Sequence, residues 1–180
     1  IYFDVLNNKY ETFPITWGSN YQGAKTLSPA SIRMDFEGNP WVLTQNGLFV
    51  CKRKEKKVSH IYDTTFGGTK FSYNAFWDGA FDKQNNLWLT SPNGIHVYST
   101  KKNELIQTFT MADGLPSLVT TYITVDKENR IWVNTAAGLA MYNQEEKIWR
   151  TFNRFDGMDR DYLDGNIAIT GNDKIAIDQE

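Results

Sequence analysis

Between Thr121 and Phe152 the apolar residues fall into four short runs: Thr121 to Val125, Ile131 to Asn134, Leu139 to Tyr142 and Ile148 to Phe152. The intervals are tight and polar, Lys127-Glu128-Asn129-Arg130, Ala136-Ala137-Gly138 and Gln144-Glu145-Glu146-Lys147. Alternating runs of this length, bounded by Asn, Asp and Gly, predict the strands of an antiparallel meander. No window carries an apolar period near 3.6 residues, so helix is expected to be scarce.

The same phrase recurs along the chain. Aligned on tryptophan, DFEGNPWVLTQNGLFV begins at Asp35, DKQNNLWLTSPNGIHV at Asp82 and DKENRIWVNTAAGLAM at Asp126. In each, Asp stands six residues before Trp (Trp41, Trp88, Trp132), Thr or Ser three after it (Thr44, Ser91, Thr135) and Gly six after it (Gly47, Gly94, Gly138). The tryptophans are 47 and 44 residues apart. A degenerate fourth copy, TGNDKIAID, starts at Thr170 with Ala176 in the tryptophan place. The tails repeat too: YNQEEKIWRTF ends at Phe152, FDVLNNKYETF at Phe13, YSTKKNELIQTF at Phe109, and CKRKEKKVSHI more loosely at Ile61.

Four strands per repeat of this length is the pattern of one β-propeller blade. The sequence therefore predicts an all-β chain of about four blades' worth, three complete and two halves. The expected division is a half-blade over 1–13, blades over 31–62, 78–110 and 121–153, and a half-blade over 166–178. The chain begins IYFDVLNN, without Met and in mid-strand, and so reads as a piece of a larger ring of about seven blades. The repeated residues have mechanical roles on this reading. Gly allows positive φ in the turn before the third strand, Asp bonds local backbone amides, and Trp fills the space between neighbouring blades.

Composition narrows the function classes. The 180 residues are 41% hydrophobic and 22% charged, with a net charge of −2 and a pI near 5.7. That balance lacks the basic footprint of a nucleic-acid binder. Cys51, the single cysteine, leaves no internal disulfide framework and no cysteine zinc cluster. No run approaches the roughly 18 consecutive apolar residues that would span a bilayer as a helix.

DKENRIWVNTAAGLAMYN (126–143) and its lead-in ADGLPSLVTTYITVD (112–126) resemble the two-component regulator propeller repeat. That pattern runs Asp, a turn, Leu/Ile-Trp-Ile/Val-x-Thr, two residues, Gly-Leu, then an aromatic with Asn or Asp, preceded by Gly-Leu-Pro-Ser/Asn. The second copy departs from it, with Ser91 for Thr, Ile95 for Leu and no Gly-Leu-Pro lead-in. The resemblance implies the periplasmic ligand-sensing part of a hybrid two-component histidine kinase and response regulator, one that controls polysaccharide use. The expected partners are then an oligosaccharide or other small polar ligand, and neighbouring propeller and signalling modules of the same chain. A second copy is a further possible partner, and the kinase and membrane span would lie elsewhere.

Propellers tend to bind on the face made by the inter-blade linkers and the turns between second and third strands. Here the first two linkers, WGSNYQGAKTLSPAS and TTFGGTKFSYNAFWDG, are long and aromatic. Flat rings beside amide and cationic donors suit sugar rings, whose C–H faces stack while hydroxyls find polar partners. The candidate ligand-binding residues are Trp17, Tyr21, Tyr73, Asn74 and Trp77.

No catalytic residue, cofactor or metal is assigned. The acidic fourth linker (Asp156, Asp159, Asp161, Asp164) has the wrong spacing for a calcium loop. The basic run from Lys52 to Lys57 is expected at an exposed hairpin tip, and His60 and His96 in strands as packing residues. Two alternatives stand beside the sensor reading: a propeller lyase of the streptogramin-inactivating kind, and a scaffold for protein contacts or dimerisation.

Overall fold

A computed structural model of the chain describes residues 2–4, 7–12, 29–45, 47–61, 65–66, 69–70, 75–161, 165–172 and 174–177. Among them are 18 strands and two three-residue 3-10 helices. The first sheet holds β3 (Pro29–Met34), β4 (Pro40–Thr44), β5 (Gly47–Lys52) and β6 (Lys57–Ile61). The second holds β9 (Gly79–Phe81), β10 (Asn86–Ser91), β11 (Gly94–Ser99) and β12 (Glu104–Phe109). The third holds β13 (Thr120–Val125), β14 (Ile131–Thr135), β15 (Gly138–Asn143) and β16 (Ile148–Phe152). Each is an antiparallel meander with strands paired in chain order. Two-stranded hairpins flank them, β1 (Tyr2–Asp4) with β2 (Lys9–Glu11) and β17 (Ile167–Ile169) with β18 (Ile175–Ile177). A small hairpin of β7 (Thr65–Phe66) and β8 (Thr69–Lys70) lies within the linker between the first two sheets.

The sheets are propeller blades. β3 meets β9, β9 meets β13 and β13 meets β17, so the first strands converge along one inner edge. A blade is covered on both faces, which explains why third strands such as β11 are buried at every position. A half-buried sheet would instead alternate. The outer strand β16 is exposed or half-exposed throughout. Two core clusters fill the seams between blades. Trp41, Leu43 and Leu48 pack with Leu87, Leu89 and Tyr98 in one, and Trp88, Ile95 and Phe109 with Ile131, Val133 and Tyr142 in the other.

The repeated residues build each blade in the same way. Asp35, Asp82 and Asp126 each accept the indole N–H of the tryptophan six residues on, at 3.0, 2.9 and 2.8 Å. The other carboxylate oxygen accepts the backbone N–H four residues on, at 2.8 Å in all three. Thr44, Ser91 and Thr135 donate to the carbonyls of Gly47, Gly94 and Gly138 at 2.9, 3.0 and 2.7 Å. Gly94 shows why glycine stands there: its φ is +98°, and a Cβ would lie 2.3 Å from the Phe109 carbonyl oxygen. Trp41 and Trp88 fill their seams as expected, whereas Trp132 is only half-buried. The hairpin beyond it offers exposed Ala168 and Ala176 in place of large side chains.

Candidate functional site

The meander sends both kinds of connection to fixed ends of the strands. Linkers and second-to-third-strand turns lie at one end, first-to-second and third-to-fourth turns at the other. At the linker end, hydrogen bonds pin the described ends of the two linkers between complete blades to the blades they join. Phe76 N–H donates to the Thr44 carbonyl of the first blade at 3.0 Å, and Trp77 N–H to Thr90 of the second at 3.1 Å. The Thr120 hydroxyl donates to the Ser91 carbonyl at 3.0 Å, and Ala136 N–H to Val119 at 3.1 Å.

Those bonds divide the aromatics. Phe76 is buried against His96, ring centroids 6.2 Å apart, and plugs the blade beneath. Its neighbour Trp77 is 38% exposed. Of the five candidate residues, Trp77 is described; Trp17, Tyr21, Tyr73 and Asn74 lie outside the described residues. Val119, 48% exposed, is held beside the same strand end, since the Thr120 that follows it is tied to Ser91 next to Thr90. Sequence reasoning did not single out Val119; the Gly-Leu-Pro-Ser lead-in just before it was the available signal.

Asp78, one residue past Trp77, anchors this end to three blades at once. Buried to 3% exposure, its carboxylate accepts from the Ser31 hydroxyl at 2.7 Å, Arg33 at 2.5 Å and Ile123 N–H at 3.2 Å. The partners are 45 or 47 residues away, about one repeat. A charged pair on a buried carboxylate is favourable only when its remaining lone pairs are satisfied, as they are here.

The other titratable groups have structural duties. His96 is buried, with its two ring nitrogens 3.1 Å from the Ser91 and Thr108 hydroxyls. Burial disfavours its charged form and lowers its pKa to about 4, so the ring is neutral at pH 7. His60 stacks on Phe49 at 4.1 Å. Burial pushes the Cys51 thiol up, away from thiolate reactivity. Burial alone would raise Asp126, but bonds from the Trp132 indole and from the Arg130 backbone and guanidinium outweigh it and lower its pKa.

In the acidic linker Asp156 serves as a cap, and Asp164 lies outside the described residues. Asn153 and Asp156 close a capping box on the 3-10 turn Arg154–Asp156, as Thr110 and Asp113 do on Met111–Asp113, and Gly114 and Gly157 follow with the same φ of 91°. Asp161 accepts the Arg154 N–H at 2.8 Å. Among the described residues no group of three His, Cys, Asp or Glu side chains is placed to hold a metal ion. The basic run lies on the exposed β5–β6 turn, and among the described residues no helix is long and apolar enough to cross a membrane.

Comparison with solved structures agrees with this architecture. The extracellular domain of one hybrid two-component system from B. thetaiotaomicron superposes with a TM-score of 0.75 at 22% identity, over 97% of this chain and 23% of that one. That of a second such system from the same organism gives 0.70 at 21% identity, over 87% and 20%. Virginiamycin B lyase from Staphylococcus aureus is more distant, at 0.59 and 14% identity over 86% and 56%. No protein-family model matches the sequence, and no curated protein matches it significantly. The fold is thus shared with the propeller regions of two-component sensors, and the chain spans about a fifth to a quarter of those extracellular domains.

Proposed function

We propose that the chain is a segment of the ligand-sensing propeller of a hybrid two-component sensor, on the periplasmic side of the membrane, recognising an oligosaccharide and regulating polysaccharide use. The observation that carries this reading is the superposition of 97% of the chain on the extracellular domain of such a system. The linker end supports it as the recognition face. Trp77 presents an exposed ring on a backbone pinned to two blades, and a sugar stacks best on a ring held rigidly. Trp17, Tyr21, Tyr73 and Asn74 complete the proposed surface.

Signalling on this reading comes from contacts between this segment and its neighbouring propeller modules. The lyase alternative draws on the same fold, but His96 is buried and neutral, with its ring between two hydroxyls. It offers no base at the linker face.

Paired Trp17→Ala and Tyr73→Ala substitutions are expected to weaken oligosaccharide binding by roughly tenfold or more while the fold remains, as loss of stacked rings does. Calorimetric titration checks this, and unchanged affinity contradicts the assignment.

A further inference from the structure

The two seams between complete blades are built alike and filled differently. Between the second and third blades, Trp88 stacks on Phe109 at 5.5 Å, Phe109 meets Tyr142 at 4.7 Å, and Tyr142 meets Trp149 at 4.9 Å. Strand register fixes the corresponding places between the first and second blades. Ile61 pairs with Leu48 as Phe109 pairs with Ile95, and Leu105 pairs with Tyr98 as Trp149 pairs with Tyr142. Two of the four rings are therefore aliphatic in this seam, although Phe81 adds an edge contact to Trp41 at 6.1 Å.

The turns that close the seams differ as well. Asn129 of the third blade accepts Lys83 N–H at 2.8 Å and donates its amide to Gln84 at 3.0 Å, clasping the second blade twice. Its counterpart Asn85 accepts Phe36 N–H at 3.1 Å but turns its amide to Thr100 of its own blade, at 3.2 Å. Glu37, which stands where Gln84 does, receives no such clasp from Asn85. The result is a cleft of about 600 Å³ between the first two blades, against about 200 Å³ at the matching place between the next two. The larger value lies within the range of small-molecule sites.

The chemistry of the larger cleft is specific. Trp41 and Val50 line it, Glu37 and Lys52 come from the first blade, and Gln84, Lys101 and Asn103 from the second. Asp35 also reaches it, but its carboxylate is engaged by Glu37 N–H, Asn39 and the Trp41 indole. Asn103 accepts the Tyr98 hydroxyl at 2.7 Å through its oxygen, a bond that leaves its amide donors unused. Two carboxylates and two ammonium groups cancel, so an anion meets Asp35 and Glu37 and a cation meets Lys52 and Lys101. A neutral molecule with many hydroxyls avoids both penalties, because each hydroxyl donates to Glu37 or accepts from the amides and lysines.

We propose that this cleft, with Glu37 and Lys52 facing Gln84, Lys101 and Asn103 over Trp41, binds a neutral polyhydroxylated molecule the size of a mono- or disaccharide. The site is separate from the linker face of the sensor reading, at the opposite end of the strands. Its occupant bridges two blades, so binding there stiffens the more weakly filled seam.

The test is a titration of the ¹⁵N-labelled chain, followed by amide NMR, with glucose, maltose and sorbitol as probes and glutamate as the charged control. Saturable shifts confined to residues 36–39, 84–86 and 100–103 are expected with at least one neutral probe. The Lys101→Ala/Asn103→Gly double variant is expected to weaken binding roughly tenfold, the effect of losing one or two polar contacts. Glycine suits position 103, where φ is 58°. Gln84→Ala serves as a second, exposed variant if the first unfolds. The proposal is overturned by shifts confined to residues 75–78 and 115–120, by no saturable shift with any neutral probe, by preference for glutamate, or by variants that bind as tightly as the parent. Shifts at the linkers alone uphold the linker face and remove the cleft, whereas shifts in the cleft alone do the reverse.

Discussion

The seam between the second and third blades and the seam between the first and second start from the same frame of Asp, Trp, Thr or Ser, and Gly. The later seam is closed by four aromatic rings and a double amide clasp, while the earlier one has aliphatic Ile61 and Leu105, a single clasp and a polar cleft. The difference shows what the repeat controls. It fixes how a blade folds upon itself, through bonds within about a dozen residues. How tightly blades meet is set by positions the repeat leaves free.

The sharpest way to break this comparison is to empty each seam at the matched position. Phe109→Ala is expected to cost about 3–5 kcal/mol and Ile61→Ala about 2, because Ile61 is smaller and only half-buried. Urea unfolding measures both, and equal costs would mean that the seams are equally filled. Acid acts on the earlier seam alone through His96, whose matched position in the third blade is Ala140. The unfolded ring takes a proton near 6.5 and the folded one only near 4. Protonation therefore favours the unfolded chain as pH falls from 6.5 to 4, and the histidine's part of the stability is complete above that window. The loss amounts to up to about 3 kcal/mol. It should shrink in His96→Gln when urea midpoints are compared at pH 7 and pH 4.5. The smallest effect concerns the clasp. Asn129→Gly, at a residue with φ of 68°, is expected to cost about 1 kcal/mol and to speed hydrogen exchange at the Lys83 amide.

Much of the architecture was legible because it is local. The four runs of the third repeat coincide with β13 to β16 to within a residue or two, since alternation and turn residues act over a few positions. Asp in these turns is recognisable from sequence as a turn residue, but its second bond, to the Trp indole six residues on, is not. That bond needs the side-chain rotamers that only the folded hairpin supplies. The likeness of MADG and RFDG was hidden for another reason. Their shared capping geometry uses Thr in one and Asn in the other, residues equivalent in hydrogen bonding but not in spelling.

The candidate site was harder to read. Aromatic content marked the second linker, yet it could not tell buried Phe76 from exposed Trp77, because that choice follows from two backbone bonds to different blades. The Asp78 node with Ser31, Arg33 and Ile123, and the cleft beside Glu37, join residues about one repeat apart. Contacts at that distance leave no periodic mark in a single sequence. What the repeat did provide is the ruler by which matched positions, and so the missing rings of the earlier seam, can be recognised.

The repeated residues hold the blades, while sensing on the linker face belongs to residues outside the repeat. The most direct test of this division pairs Trp77→Ala with Trp88→Phe, measuring oligosaccharide affinity by calorimetry and stability by urea unfolding on the same samples. Trp77→Ala is expected to weaken binding and leave the unfolding midpoint in place, while Trp88→Phe is expected to lower the midpoint and leave binding intact. Affinity lost with Trp88→Phe and kept with Trp77→Ala would contradict the division.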